Sequence, residues 1–193
     1  MNLSIFTILI TVSMTIVVLL PLLNSNVYAV TVNKSFFSVN VSDNWAYLNV
    51  KFKDGSDYNS SILLIPTEYS DFLINLDKRD TQELFQNVGA SSFLTLDSAY
   101  LFRNVPLEIY AQSQMNQSSD EILSKENSTI DGEKALKIHK IARNNLTDIY
   151  ELMTYYVIHD GNPYYLKYYA KVKDFPKYLP QFEQMVKTFK FAG

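Results

Sequence analysis

The stretch IDGEKALKIHKIARNNLTDIYELMTYYVIHDGNPYYLKYYAKV, residues 130–172, decides the fold. It holds three runs predicted as strands, at 134–142, 149–158 and 164–172. The second and third are rich in β-branched and aromatic residues, which are typical of strands. Short connections containing Asn, Asp, Gly and Pro separate the runs, and connections of this length and chemistry favour β-hairpins. The stretch therefore predicts three consecutive antiparallel strands.

A helix is predicted directly after these strands, over residues 175–188. Tyr178, Phe182, Met185 and Phe189 recur there at helical spacing and form one apolar stripe. The stripe must be buried, and the sheet is the available surface. The predicted fold class is α+β: an antiparallel β-sheet flanked by helices, with the C-terminal helix packed on the sheet.

The sequence before residue 130 is less regular. A helix is predicted at 105–115, with a Pro in its first turn, and a capping-box pattern predicts another at 80–89. Residues 112–127 are polar and are expected to be mostly loop. Three further strands are predicted at residues 36–41, 47–52 and 61–65.

The tyrosines of the second hairpin are the candidate recognition residues. A five-residue loop at 159–163 pairs Ile158 with Tyr164, and this register divides the side chains between two faces. Tyr156, Tyr164 and Tyr168 are predicted to be core. The other face is a candidate recognition surface, because Tyr combines apolar area with a polar tip. The alternative is that these tyrosines only favour strand formation and are covered by a helix or by the 66–104 segment. The predicted members of the candidate recognition surface are Tyr155, Tyr165, Lys167, Tyr169 and Lys171.

Several segments resemble the C-terminal half of PsbP-like domains, a family with uncharacterised exported archaeal and bacterial members. They are IDGEKA (130–135), YYL (164–166), YLP (178–180) and FEQMVKTFKF (182–191). Trp45 after the first strand resembles the family's early strand–turn–Trp element, although SDN at 42–44 lacks the usual Pro. Residues 66–104 match no part of the pattern and are a candidate lineage-specific insertion.

The resemblance implies an antiparallel sheet flanked by helices, and it carries no known chemistry. Plant members of the family are extrinsic subunits on the lumenal face of photosystem II, and other relatives are assembly or accessory factors. Nothing in this sequence marks a photosynthetic partner, so that role is not carried over.

The N-terminal segment predicts export. Residues 1–33 contain no charged side chain, and residues 3–23 are dominated by Leu, Ile, Val, Met and Phe. Val27-Tyr28-Ala29 fits a signal-peptide cleavage pattern, so the cut is predicted after Ala29. An uncleaved membrane anchor stays open as the alternative, because about 20 apolar residues can span a bilayer. In both cases residues 30–193 are expected to form a single domain outside the cytoplasm.

Asn-x-Ser/Thr triplets add support for export, because such triplets are acceptors for N-glycosylation. Chance would supply only about two or three in a chain of this composition. The acceptors in the mature part are Asn33, Asn40, Asn59, Asn116, Asn127 and Asn145.

Composition and motifs argue against several functions. The formal net charge of −3 lacks the basic footprint of a nucleic-acid binder. The chain has no cysteine, which excludes disulfides and zinc–thiolate sites. His139 and His159 are predicted to lie on the order of 20 Å apart along the hairpin, too far to share a metal ion. Known nucleophile, phosphate-loop and zinc motifs do not occur. No catalytic residue, cofactor or metal site is therefore predicted.

Three functions compete on this sequence. The leading hypothesis is a non-catalytic accessory protein that docks on an unknown protein or membrane complex at the cell surface. The second is an extracytoplasmic module that binds a small ligand with its aromatic face. A hydrolase ranks last, because no paired carboxylates can be placed in one cleft. A flat exposed patch would favour the first hypothesis, and a deep apolar pocket beside the tyrosines the second.

Overall fold

A computed structural model describes residues 28–51, 57–69, 90–96, 104–115, 120–144 and 148–192. Ten strands and two helices follow one another in these ranges. In chain order they are β1 (Tyr28–Asn33), β2 (Phe37–Ser42), β3 (Trp45–Lys51), β4 (Asp57–Pro66), β5 (Ala90–Leu96), α1 (Leu107–Met115), β6 (Glu121–Ile130), β7 (Glu133–Asn144), β8 (Asp148–His159), β9 (Asn162–Lys171), α2 (Phe175–Thr188) and β10 (Lys190–Phe191).

The described strands form two antiparallel sheets. The larger sheet has seven strands in the order β3-β4-β5-β9-β8-β7-β6, and the smaller has three in the order β1-β2-β10. Adjacent residues of β8 point to opposite faces, and they contact different helices. Tyr155 packs against Phe182 of α2, whereas Tyr156 packs against Tyr110 of α1. The two helices therefore cover opposite faces of the large sheet, and the predicted α+β class is confirmed.

The C-terminal helix α2 occupies the predicted residues and buries the predicted stripe. Tyr178, Phe182 and Met185 are buried against the sheet. Phe189 follows the helix, and its ring stacks on Phe37 of β2 with centroids 5.0 Å apart. The main core thus lies between α2, the large sheet and β2.

The turn between β8 and β9 corrects the predicted register. The loop is two residues long, Asp160 and Gly161, with φ of 48° and 72°, and such positive values belong to the type I′ hairpin turn. Ile158 consequently pairs with Pro163, not with Tyr164. A slip of one residue turns every side chain of one strand to the other face relative to its neighbour. The predicted division of the tyrosines between two faces is therefore wrong.

Four strands were not expected from the sequence: β1, β5, β6 and the two-residue β10, which pairs with β2. Residues 112–127, predicted as mostly loop, contain the last turn of α1, residues 112–115, and most of strand β6. Strand β5 falls inside 66–104 and lies between β4 and β9, so this part of the segment is integral to the sheet. Strand β1 precedes the first predicted strand and pairs with it. The predicted helix at 80–89 and residues 1–27 lie outside the described residues.

Candidate functional site

Four of the predicted recognition residues form a row along β9: Tyr165, Lys167, Tyr169 and Lys171. They alternate along the strand, so their side chains share one face, and each is partly exposed. Tyr165 stands opposite Tyr156, which contacts α1, so the row lies on the α1 side of the sheet. These four residues are called the β9 row below.

Tyr155 does not belong to this row, which corrects the prediction. It stands opposite Leu166 rather than Tyr165, and its side chain is turned to the α2 side. There it is 6% exposed, and its ring lies 6.1 Å from that of Phe182. Burial raises the pKa of its hydroxyl group. Tyr155 is therefore a core residue.

The aromatic members of the β9 row are held in place by neighbouring side chains. Tyr169 stacks on Tyr150 with ring centroids 4.4 Å apart and planes 18° from parallel, and Tyr150 is buried. The Lys167 ammonium lies 5.1 Å from the centre of the Tyr165 ring, which is the geometry of a cation–π contact. Side chains fixed in this way lose little conformational entropy when a partner binds.

Helix α1 covers the part of the same face that adjoins the β9 row. It forms a small second core with β7 and β8, against which Tyr165 packs at the margin. The row thus begins at the helix and continues along β9. The buried members of this second core are Leu107, Tyr110, Ala111, Met115, Leu136, Ile138 and Tyr156.

A shallow groove of about 490 Å³ lies on the other side of α1, beside β6. Strands β7 and β8 separate it from the β9 row in the sheet. The groove therefore does not provide the deep pocket beside the tyrosines that a ligand-binding module would use. Its lining residues are Glu108, Ile109, Gln112, Ser113 and Lys125.

The two histidines are each paired with a carboxylate. His139 Nε2 lies 2.6 Å from Glu151 Oε1, and His159 Nδ1 lies 3.1 Å from Glu133 Oε1. His139 of β7 stands opposite Met153 of β8, and His159 lies at the end of β8, so the two histidines are well separated along the hairpin. Among the residues that the structure describes, no group of three or more His, Asp or Glu is arranged to hold a metal ion.

A polar clamp joins the end of β4 to the start of α2. The Glu68 carboxylate lies 2.9 Å from Lys177 Nζ and accepts a hydrogen bond from the Tyr178 hydroxyl. These hydrogen bonds, from Tyr178 and then Lys177, lower the pKa of Glu68. Burial, followed by the bond to Glu68, raises the pKa of Tyr178 to about 12. The Trp45 and Tyr178 rings pack edge to face with centroids 5.8 Å apart, so the clamp borders the main core.

The predicted processing and modification sites are only partly within the described residues. Cleavage after Ala29 would leave residues 30–33 of β1 paired with β2. Neither helix of the described ranges is long and apolar enough to cross a membrane. Among the glycosylation acceptors, Asn33 and Asn127 are exposed, Asn40 is partly exposed and Asn59 lies in β4. Asn116 and Asn145 lie outside the described residues.

The chain shows only low sequence identity and low structural similarity to known proteins. No family model matches the chain, and no curated protein matches it. LpqN of Mycobacterium tuberculosis, described as involved in cell envelope biogenesis, is 10% identical with a TM-score of 0.47, over 85% of this chain and 90% of that one. The cyanobacterial PsbP of Synechocystis sp. PCC 6803 is 11% identical with a TM-score of 0.44, over 81% of this chain and 86% of that one.

A Pseudomonas aeruginosa protein of unknown function is 14% identical with a TM-score of 0.46, over 51% of this chain and 70% of that one. Likeness at these TM-scores assigns neither a family nor a function. The resemblance of the sequence to PsbP-like domains therefore stays a prediction.

Proposed function

We propose that this chain is an exported, non-catalytic accessory protein that docks on a protein or membrane component outside the cytoplasm. The observation that carries the proposal is the β9 row. Two tyrosines and two lysines are partly exposed on one face of a central strand, and both rings are held by neighbouring side chains. Tyrosine is enriched where proteins bind one another, because its ring excludes water while its hydroxyl bonds at the rim.

The charge around the β9 row favours an acidic partner. The chain as a whole is mildly acidic, with a net charge of −3, but the row carries Lys167 and Lys171. In the described β8–β9 and β5–β9 pairs, no residue opposite the row is acidic. The residues opposite are Tyr150, Leu152, Thr154 and Tyr156 of β8, and Ser91, Phe93 and Thr95 of β5. Local positive charge of this kind steers an acidic surface into contact and fixes its orientation.

The location outside the cytoplasm is supported by the uncharged apolar residues 3–23, which precede β1 by only a few residues. If this segment is retained as an anchor, the domain stays close to the membrane surface. If it is cleaved after Ala29, the domain is released or held by its partner alone. Both forms present the β9 row to components of the cell surface.

The test is affinity capture of the partner from the native membranes of the source cells. Lys167→Glu reverses one charge of the row without removing a buried ring, and Lys187→Glu, on the exposed side of α2, is its matched control. Lys167→Glu should reduce the captured partner by about tenfold, which is about 1.4 kcal/mol of binding free energy. Lys187→Glu should leave capture unchanged.

Tyr169→Ala gives a second arm of the same test. It should weaken capture similarly, while thermal unfolding establishes that the variant is folded under the capture conditions. Equal capture by the wild type, Lys167→Glu and Tyr169→Ala would exclude the β9 row as the docking surface. Turnover of a substrate by the purified chain would contradict the non-catalytic part of the proposal.

A further inference from the structure

In the described part of the chain, the large sheet ends at β6, whose outer edge pairs with no described strand. β6 is ten residues long, and no strand of the described ranges pairs with it on the side away from β7. Seven of its residues are exposed, among them Ile122 and Leu123 at 49% and 45%. An edge of this kind offers backbone N–H and C=O groups to an extended chain, which adds as another strand.

The groove beside α1 borders this edge. Ile109 of α1 is 59% exposed and lines the groove together with Lys125 of β6. A strand added along β6 would turn every second side chain toward α1. Those side chains would cover Ile109. The backbone of the added strand would form hydrogen bonds with the outward N–H and C=O groups of β6. Edge and groove therefore suit the same extended occupant.

The two faces of β6 carry opposite charges. Lys125 lies on the α1 side, while Glu121 and Glu126 lie on the α2 side. Glu108, the acidic residue of the groove, is already paired with Lys134 at 2.5 Å. We propose that β6 and the groove bind an extended segment of a partner protein as an eighth strand. Charge complementarity requires an acidic residue beside Lys125 and a basic residue beside Glu126, at adjacent positions of that segment.

A second copy of this chain fits the edge less well. Two β6 strands paired antiparallel about a two-fold axis perpendicular to the sheet keep like faces on the same side. The acidic faces, with Glu121 and Glu126 of both copies, would then lie together, and like charges across a ladder are unfavourable. The bulge between Ile122 and Ser124 also resists flat self-pairing. The inferred binding partner of the β6 edge is therefore a segment of a different protein.

The probe is a labelled ten-residue peptide. Its groove-facing positions are Val, Asp and Ile, and its alternate positions are Thr and Lys. Fluorescence anisotropy with the purified full chain should show saturable binding. Lys125→Glu should weaken that binding about tenfold, and a probe with Lys in place of Asp should restore it. Lys187→Glu and the β9-row variant Lys167→Glu should bind the probe like the wild type, which separates this surface from the proposed docking function.

A proline variant tests the backbone part of the inference. Asn127 stands opposite Leu136, in a pair that exchanges no hydrogen bonds with β7 when pairs are counted alternately from the Asp131–Gly132 turn. Its N–H therefore faces outward, and Asn127→Pro removes a donor that no described strand uses and that an added strand would use. The variant should melt close to the wild type yet lose probe binding about tenfold or more.

Three results would overturn the inference. The first is absence of saturable probe binding. The second is probe binding that neither Lys125→Glu nor Asn127→Pro reduces. The third is a concentration-dependent dimer in sedimentation that Asn127→Pro abolishes, because the edge would then be occupied by a second copy.

Discussion

Replacing Phe182 by Ala should remove the centre of the contact between α2 and the sheet. The side chain has no exposed area, and its ring lies 5.5 Å from that of Tyr168 and 6.1 Å from that of Tyr155. All three rings are buried, so the surroundings can only partly collapse into the space. Phe→Ala in a core costs about 3–5 kcal/mol, against a typical total stability of about 5–15 kcal/mol. At about 2–4 °C per kcal/mol for a domain of this size, Tm should fall by roughly 6–20 °C.

Phe36→Ala is the matched control, because the same atoms are removed from a side chain that is 43% exposed. Its cost should stay below about 1 kcal/mol. Tyr169→Ala should fall between the two, since its ring is partly exposed but stacked. Thermal unfolding followed by circular dichroism measures all three. Equal losses in Phe182→Ala and Phe36→Ala would refute the placement of α2's apolar stripe in the core.

Four further outcomes are expected. Glu68→Gln should lower Tm at neutral pH, and this difference from the wild type should disappear on acidification. The folded-state pKa of Glu68 lies below the ordinary 4.5. The stabilisation by the Glu68 carboxylate is therefore complete above pH 4.5 and is lost as the pH falls through the folded-state pKa. Intact-mass measurement of native protein should show a chain that begins at Val30, whereas a full-length mass would leave only the anchor. Gly161→Ala should destabilise more than Gly132→Ala in chemical denaturation, because both glycines have positive φ but only at Gly161 would a Cβ collide with the Asn104 side chain. Zinc titration should give no saturable one-to-one binding tighter than micromolar. Such binding, lost on replacing either histidine by Ala, would contradict the prediction that the chain has no metal site.

The C-terminal part of the fold was predictable because its signals are strong and local. An apolar stripe at helical spacing identified α2 and the face that it buries. The Asp131–Gly132 turn and three runs of strand-forming residues identified β7, β8 and β9. Each of these signals depends on neighbours in sequence, so no knowledge of distant contacts was needed.

The edge strand β6 was missed because its stability does not depend on an apolar pattern. Its residues are mostly polar on both faces, as suits a strand that contacts one neighbour and solvent. The backbone ladder to β7 holds it in place, and backbone groups leave no trace in side-chain composition. Strand β5 has a comparable explanation, because its place between β4 and β9 is fixed by pairings that are distant in sequence.

The register error in the second hairpin shows which kind of surface can be predicted from sequence. Asp160-Gly161 carries the two-residue turn signal, but the predicted loop covered all of 159–163, including Pro163, a residue type that is rare in central strands. The structure accommodates Pro163 just beyond the last β5–β9 pair, Leu96 with Tyr164, where no ladder donor is required. The resulting slip moved Tyr155 to the core, since its place in the set depended on pairing between two strands. The β9 row survived unchanged, because residues that alternate within one strand share a face whatever their partner's register. A recognition surface predicted from residues of one strand is therefore unaffected by a register error. A surface predicted from residues of two paired strands is changed by such an error.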